Sequence, residues 1–180
     1  MIGLSVIGWA LLAASAPASQ RACEVELEGM PVAAMSHHRL VVGESTRRPL
    51  ARRLEVPLAG ERVQLRVVGP RYAGARWLTR ADCDSEHPAK LLVAPRPAML
   101  VVGCPPKGMT IQCTDCPGID EDALFLPEHF PSVIMTGHSR RIELVLRAPG
   151  FCVERRRILL LPGRNELKVE LTPLASACPQ

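Results

Sequence analysis

The residues of this chain with the most chemical potential are its cysteines. Cys113-Thr114-Asp115-Cys116 is a CxxC followed at once by Pro117-Gly118, and Cys23, Cys83, Cys104, Cys152 and Cys178 bring the set to seven. Three chemistries use such residues. A structural zinc site takes four ligands in a tetrahedral array, generally from two such turns. Here there is no second CxxC and no paired HxxxH, so Cys104, Cys152 or a histidine would have to complete the set. A redox dithiol wants its CxxC at a helix N-terminus, where the dipole lowers the thiol pKa, and Pro117-Gly118 makes that start awkward. The third chemistry is the disulfide staple. It is the expectation for most of the seven in an exported protein, with one left over and the connectivity open.

The other candidate groups point the same way. His37 and His38 are adjacent, so on a strand they face opposite sides and make a poor chelate; an exposed, uncoordinated pair is expected. Asp120-Glu121-Asp122 carries the oxygen ligands calcium prefers. It lacks a second carboxylate cluster nearby in sequence and reads as a solvated acidic loop. The chain has no GxSxG, HExxH, glycine-rich phosphate loop or EF-hand spacing. No catalytic residue, metal ligand or cofactor site is therefore assigned.

The elements that must hold these residues are strands. Ile142, Leu144 and Leu146 alternate with Arg141, Glu143 and Arg147, the period-2 pattern of a sheet with one buried face. Leu167, Val169 and Leu171 alternate with charged residues in the same way, as do Val25 and Leu27 among Glu24, Glu26 and Glu28. Turn formers separate the runs: Gly29-Met30-Pro31, Gly69-Pro70, Cys104-Pro105-Pro106, Pro149-Gly150 and residues 161–165, LPGRN. The 17 prolines cannot lie inside central strands or helices, so they bound many short strands, as in a β-sandwich.

The chain also repeats itself. Val63, Leu65, Val67, Pro70 and Tyr72 recur 79 positions later as Ile142, Leu144, Leu146, Pro149 and Phe151. Leu91-Leu92-Val93 and Pro97 recur 76 positions later as Leu167-Lys168-Val169 and Pro173. A self-similar period sets the architecture before any single residue is interpreted. The expected fold is all-β: two tandem small antiparallel β-sandwiches, at residues 22–98 and 99–175. Tyr72 and Phe151 are expected to plug their cores. Units this small bury a modest fraction of their surface, so staples or mutual packing are expected to help.

Ahead of them, residues 2–16 are apolar, and Ala16-Pro17-Ala18 offers small residues at the cleavage positions of a secretory signal, predicted at residues 1–18. Cleavage would leave no transmembrane anchor, and Arg21 before Cys23 argues against lipidation. The protein is expected in the periplasm or outside the cell.

Residues 133–173 carry a further signature. Gly137-His138 opens a strand, Pro149-Gly150-Phe151 closes it, and Pro162-Gly163 precedes Leu167-Lys168-Val169-Glu170-Leu171. This stretch resembles the PEGA domain, with Gly60 and Tyr72 at the matching places of the first repeat. The resemblance implies a small β-sandwich module of bacterial envelope and secreted proteins, usually a non-catalytic accessory or surface-binding unit.

Charge separates the two repeats. Residues 19–98 hold 13 Lys and Arg against 9 Asp and Glu, while residues 99–180 hold 9 against 9, so the basic excess lies in the first. It concentrates at Arg47, Arg48, Arg52 and Arg53, against which the second repeat sets Asp120, Glu121 and Asp122. These arginines are the candidate partner-binding residues. They would either pair with the acidic loop or recruit an acidic protein or envelope component. Few aromatics and a modest net charge argue against nucleic acid. Arg155-Arg156-Arg157 reads as an outward or edge strand. The functional expectation is a non-catalytic binding or structural module; the alternative is a small exported enzyme, redox or metal protein working through Cys113 and Cys116.

Overall fold

The alternating runs become strands, and strands make up about half of the described residues. A computed structural model describes residues 21–44, 46–175 and 178; the signal peptide expected at residues 1–18 lies outside them. In chain order the elements are β1 (Arg21–Glu28), helical turn α1 (Val32–Met35), β2 (Arg39–Val42), β3 (Thr46–Pro49), β4 (Arg53–Leu58), β5 (Arg62–Val68), β6 (Tyr72–Thr79), helical turn α2 (Arg80–Cys83), β7 (Ala89–Leu92) and β8 (Ala94–Pro95). There follow β9 (Ala98–Gly103), β10 (Thr110–Cys113), a 3₁₀ turn (Pro127–His129), β11 (Arg140–Arg147), β12 (Glu154–Leu160) and β13 (Gly163–Lys168). The fold is all-β.

Two sheets face each other in the N-terminal half. One has the order β4-β1-β7, the other β3-β2-β5-β6-β8. Their inward residues merge in one cluster: Val25, Leu27, Val56 and Leu91 from the first sheet meet Leu40, Leu65, Val67, Tyr72 and Leu78 from the second. A second cluster belongs to the C-terminal half, where β9 and β13 supply Ala98, Leu100 and Leu167 and the sheet β10-β11-β12 supplies Ile111, Ile142, Leu144, Leu146 and Leu160. The apolar residues matched in sequence meet matching partners. Leu40 lies opposite Val67 and Ile111 opposite Leu146; Leu27 lies opposite Leu91 and Val102 opposite Leu167.

Two ladders depart from the antiparallel expectation, because β1 pairs β7 and β9 pairs β13 in parallel. Parallel neighbours need a long connection, and each half provides one by running through its other sheet before returning. Hydrophobic alternation reports a strand's faces but not its direction, so the sequence pattern was silent on this point.

Local chemistry sets the strand ends. Asn165 Oδ1 accepts the Leu161 N–H at 2.9 Å while its Nδ2 donates to the Leu161 carbonyl at 2.7 Å, closing the turn that feeds β13. The expected turn at residues 161–165 is thus shorter, and the strand begins at Gly163 and ends before Val169 and Leu171. At α2 the Asp82 carboxylate accepts the Thr79 N–H and hydroxyl, at 2.8 and 2.7 Å, and pairs with Arg76. Burial pushes its pKa up, but these hydrogen bonds and the Arg76 charge outweigh it and hold the carboxyl below its ordinary value.

Candidate functional site

The cysteines resolve first. Cys23 pairs with Cys83, Cys113 with Cys116 and Cys152 with Cys178, leaving Cys104 as an exposed free thiol. Cys23 is buried in β1 and Cys83 ends α2, so this bridge pins the helical turn onto the sheet. The CxxC follows from its backbone: Cys113 closes β10, the chain turns, and Cys116 comes back onto the same core. Cys113 is 0% exposed and Cys116 5%. Thiol exchange requires a thiolate to reach a sulfur of the bridge, and burial of both residues narrows that route to the surface beside Cys116. The geometry is that of a staple.

His38 corrects the expectation of an exposed pair. His37 is exposed, but His38 is 1% exposed. The α1 turn carries its ring inward, where Nδ1 donates to the Ala34 carbonyl at 2.8 Å and Nε2 accepts the backbone N–H groups of Tyr72 at 3.0 Å and Arg71 at 3.3 Å. The bonding assigns a neutral ring with its proton on Nδ1. Gly69 makes room, since a Cβ there would stand 2.1 Å from a ring carbon. Sequence reasoning placed the pair on a strand and so missed this wedge. The missed signal is the adjacency of a buried histidine to a glycine that only lacks a side chain because the ring needs the space, and that adjacency exists in three dimensions alone.

Beside His38 stands Tyr72, edge-on to it at 5.6 Å between ring centroids. Tyr72 plugs the core as expected, yet its hydroxyl crosses to the other half and meets His138 Nδ1 at 2.9 Å. Burial raises the phenol's pKa, against a smaller opposing pull from Arg71. Phe151, at the matching place, is only half-buried and bridges Pro173. Around Tyr72 lies a cavity of about 190 Å³ bounded by Ala34, His37, His38, Arg71, His138 and Pro162. Nearby, Gly163 at φ +81° lies so close to the Pro70 carbonyl that a Cβ would stand 2.2 Å from its oxygen. These contacts are where the two halves touch. His38 Nδ1 and Nε2, the Tyr72 hydroxyl and His138 Nδ1 thus each have a protein partner.

The basic stretch is divided by the fold. Arg52 pairs with Glu26 at 3.6 Å, and Arg53 with Glu24 at 3.7 Å and Glu26 at 3.9 Å, across the β1–β4 ladder. Arg48 donates to the Glu55 carbonyl at 3.0 Å, and Arg47 is exposed on β3. Among the described residues none of the four pairs with Asp120, Glu121 or Asp122, so the internal pairing of opposite loops is not formed. The acidic loop turns on itself instead, Asp120 Oδ1 accepting the Asp122 N–H at 3.0 Å. On the edge strand β12, Arg155 and Arg157 reach Glu143 at 3.4 and 3.1 Å, and Arg156 pairs with Glu154. The Arg157 hydrogen bond leads the effects that hold Glu143 below the ordinary carboxylate range.

Among the described residues no three His, Cys, Asp or Glu side chains converge, and no helix is long and apolar enough to cross a membrane. Comparison with known proteins gives no relative: no family model matches, and neither the curated proteins nor the solved structures contain a match.

Proposed function

We propose that this chain is an exported, non-catalytic binding or structural module of the bacterial envelope or secretome, built as two tandem β-sandwiches at residues 22–98 and 99–175 behind a cleaved signal at residues 1–18. One observation carries the reading: most of the groups able to do chemistry are tied up in structure. Six of the seven cysteines form bridges, and the buried histidine wedges two backbone segments together. Three disulfides fit an oxidising compartment. The separate apolar clusters and the equivalent strand pairings support the tandem organisation, and the PEGA resemblance of residues 133–173 supports the accessory role.

The test is chemical and cellular. Natively exported protein is alkylated under denaturing conditions and weighed, its metal content is measured, and its neighbours are crosslinked in the native host. The reading expects one free thiol, no stoichiometric metal and a discrete envelope partner. Bound metal, or a Cys113–Cys116 bridge that cycles under mild reductant, would transfer the protein to the redox or metal alternative.

A further inference from the structure

β1 and β9 are equivalent strands with unequal edges. Each pairs in parallel with the last long strand of its half, β1 with β7 and β9 with β13. On its other edge β1 is covered by β4, in a ladder of six residue pairs from Arg21↔Leu58 to Glu26↔Arg53 and extended by a Leu27 N–H bond to the Arg52 carbonyl. The same edge of β9 begins in the same way, as Ala98 and Val133 exchange both backbone hydrogen bonds, just as Cys23 faces Val56. There it stops.

The sequence explains why. With Val133 in the place of Val56, the residue in the place of Leu54 is Pro131, which has no N–H to give to a ladder. Pro127 then starts the 3₁₀ turn, which stays beside β9 across a groove but does not continue the ladder. Backbone groups alternate sides along a strand, so the N–H and C=O of Leu100 and Val102 point the same way as those of Ala98. Among the described residues they have no partner. They face a groove of about 390 Å³ lined by Met99, Leu100, Val102, Pro105, Pro127 and Phe130.

We propose that this open edge of β9 takes an extended segment of a partner polypeptide as an added antiparallel strand, a site that rests on the binding-module reading and gives it a location. β4 defines the pairing. The occupant's chemistry differs from β4 because the edge differs. Where β1 sets Glu24 and Glu26 against Arg52 and Arg53, β9 carries Met99, 56% exposed, and Val101. The fitting strand is therefore uncharged and apolar at its centre, with a basic residue at one end for Glu128, an exposed carboxylate on the groove that has no ion pair among the described residues. Size selects a linear segment over a folded second copy. Four residues from Met99 to Val102 span about 13 Å, whereas a stable protein interface buries about 800 Å² on each partner.

Recognition through backbone groups tolerates many sequences, so a synthetic probe is adequate: acetyl-Lys-Val-Thr-Val-Thr-Val-amide, with a version N-methylated at alternate residues as the control. Both are added to the complete, disulfide-bonded chain, and amide hydrogen exchange is read at single residues. The parent peptide is expected to slow Leu100 and Val102 at least tenfold, and the N-methylated peptide to leave them unchanged. Pro131→Leu restores the missing donor to the Leu100 carbonyl and lets residues 131 and 100 exchange both bonds; it is expected to slow the Leu100 amide without peptide and to weaken peptide binding at least tenfold. If that variant does not fold, the two peptides on the natural chain still decide. No protection, or equal protection by both peptides, overturns the proposal. Slow exchange before any peptide is added, together with sedimentation as a dimer, assigns the edge to a second copy and also overturns it. An envelope partner crosslinked elsewhere on the surface, with these amides unaffected, removes this site and leaves the binding-module reading standing.

Discussion

His38 shows how much one side chain can settle. Three backbone groups from two segments depend on its ring: the Ala34 carbonyl and the N–H groups of Arg71 and Tyr72. His38→Leu keeps the volume and strands all three in a buried site. Unsatisfied buried polar groups cost about 1 to 3 kcal/mol each, and partial rescue by water reduces the sum, so a loss of about 2 to 5 kcal/mol is expected in urea denaturation. An unchanged midpoint would show that the ring is not the wedge described. Its neighbour gives a sharper optical handle, since Tyr72 is the chain's only tyrosine and phenolate absorbance reports on it alone. Burial lifts its folded pKa above the ordinary value, so its contribution is complete below about pH 10 and is lost as pH rises through the folded value. The absorbance midpoint of native protein is expected above that of the urea-unfolded chain. Coincident midpoints would mean that the phenol is solvated.

At the scale of elements, the disulfides divide by the length of chain they close. Cys23–Cys83 spans 60 residues and Cys113–Cys116 spans 3. A cross-link restricts the unfolded chain more when the loop is longer, about 4 kcal/mol for the first and under about 2 for the second in the chain-entropy account. Replacing both cysteines of a bridge by alanine should therefore lower Tm more for Cys23 and Cys83 than for Cys113 and Cys116, as calorimetry would show; the reverse order would point to packing as the controlling term. Within the second cluster, Leu144 is fully buried on β11, and Leu144→Ala is expected to cost about 2 to 5 kcal/mol by chemical denaturation. The divided basic stretch belongs to this scale too. Arg52 and Arg53 complete a ladder of exposed ion pairs, each worth about 0 to 1 kcal/mol, which leaves Arg47 as the arginine of that stretch most open to a partner.

For the whole molecule, the proposed tandem organisation predicts that residues 22–96 and 97–178, cut ahead of Ala98 so that β9 stays whole, each give dispersed amide spectra when expressed separately in an oxidising compartment. The first carries its own Cys23–Cys83 bridge and the second the other two. A collapsed spectrum for either would make the halves one cooperative unit, held together through Tyr72, His138 and Gly163. Features that depend on near neighbours along the chain are legible in the sequence. Alternation at Val25, Leu27, Ile142, Leu144 and Leu146 specifies strands and their buried faces, because the pleat has period two and water lies on one side. Prolines and glycines mark most of the turns for equally local reasons. The tertiary structure alone decided which cysteines meet, that β1–β7 and β9–β13 run parallel, and that His38 turns inward. It also decided that, among the described residues, β4 pairs along β1 while the same edge of β9 carries only the Ala98–Val133 bridge. Each of these depends on the separation in space of segments far apart along the chain, and a pattern with a period of two residues carries no record of that distance.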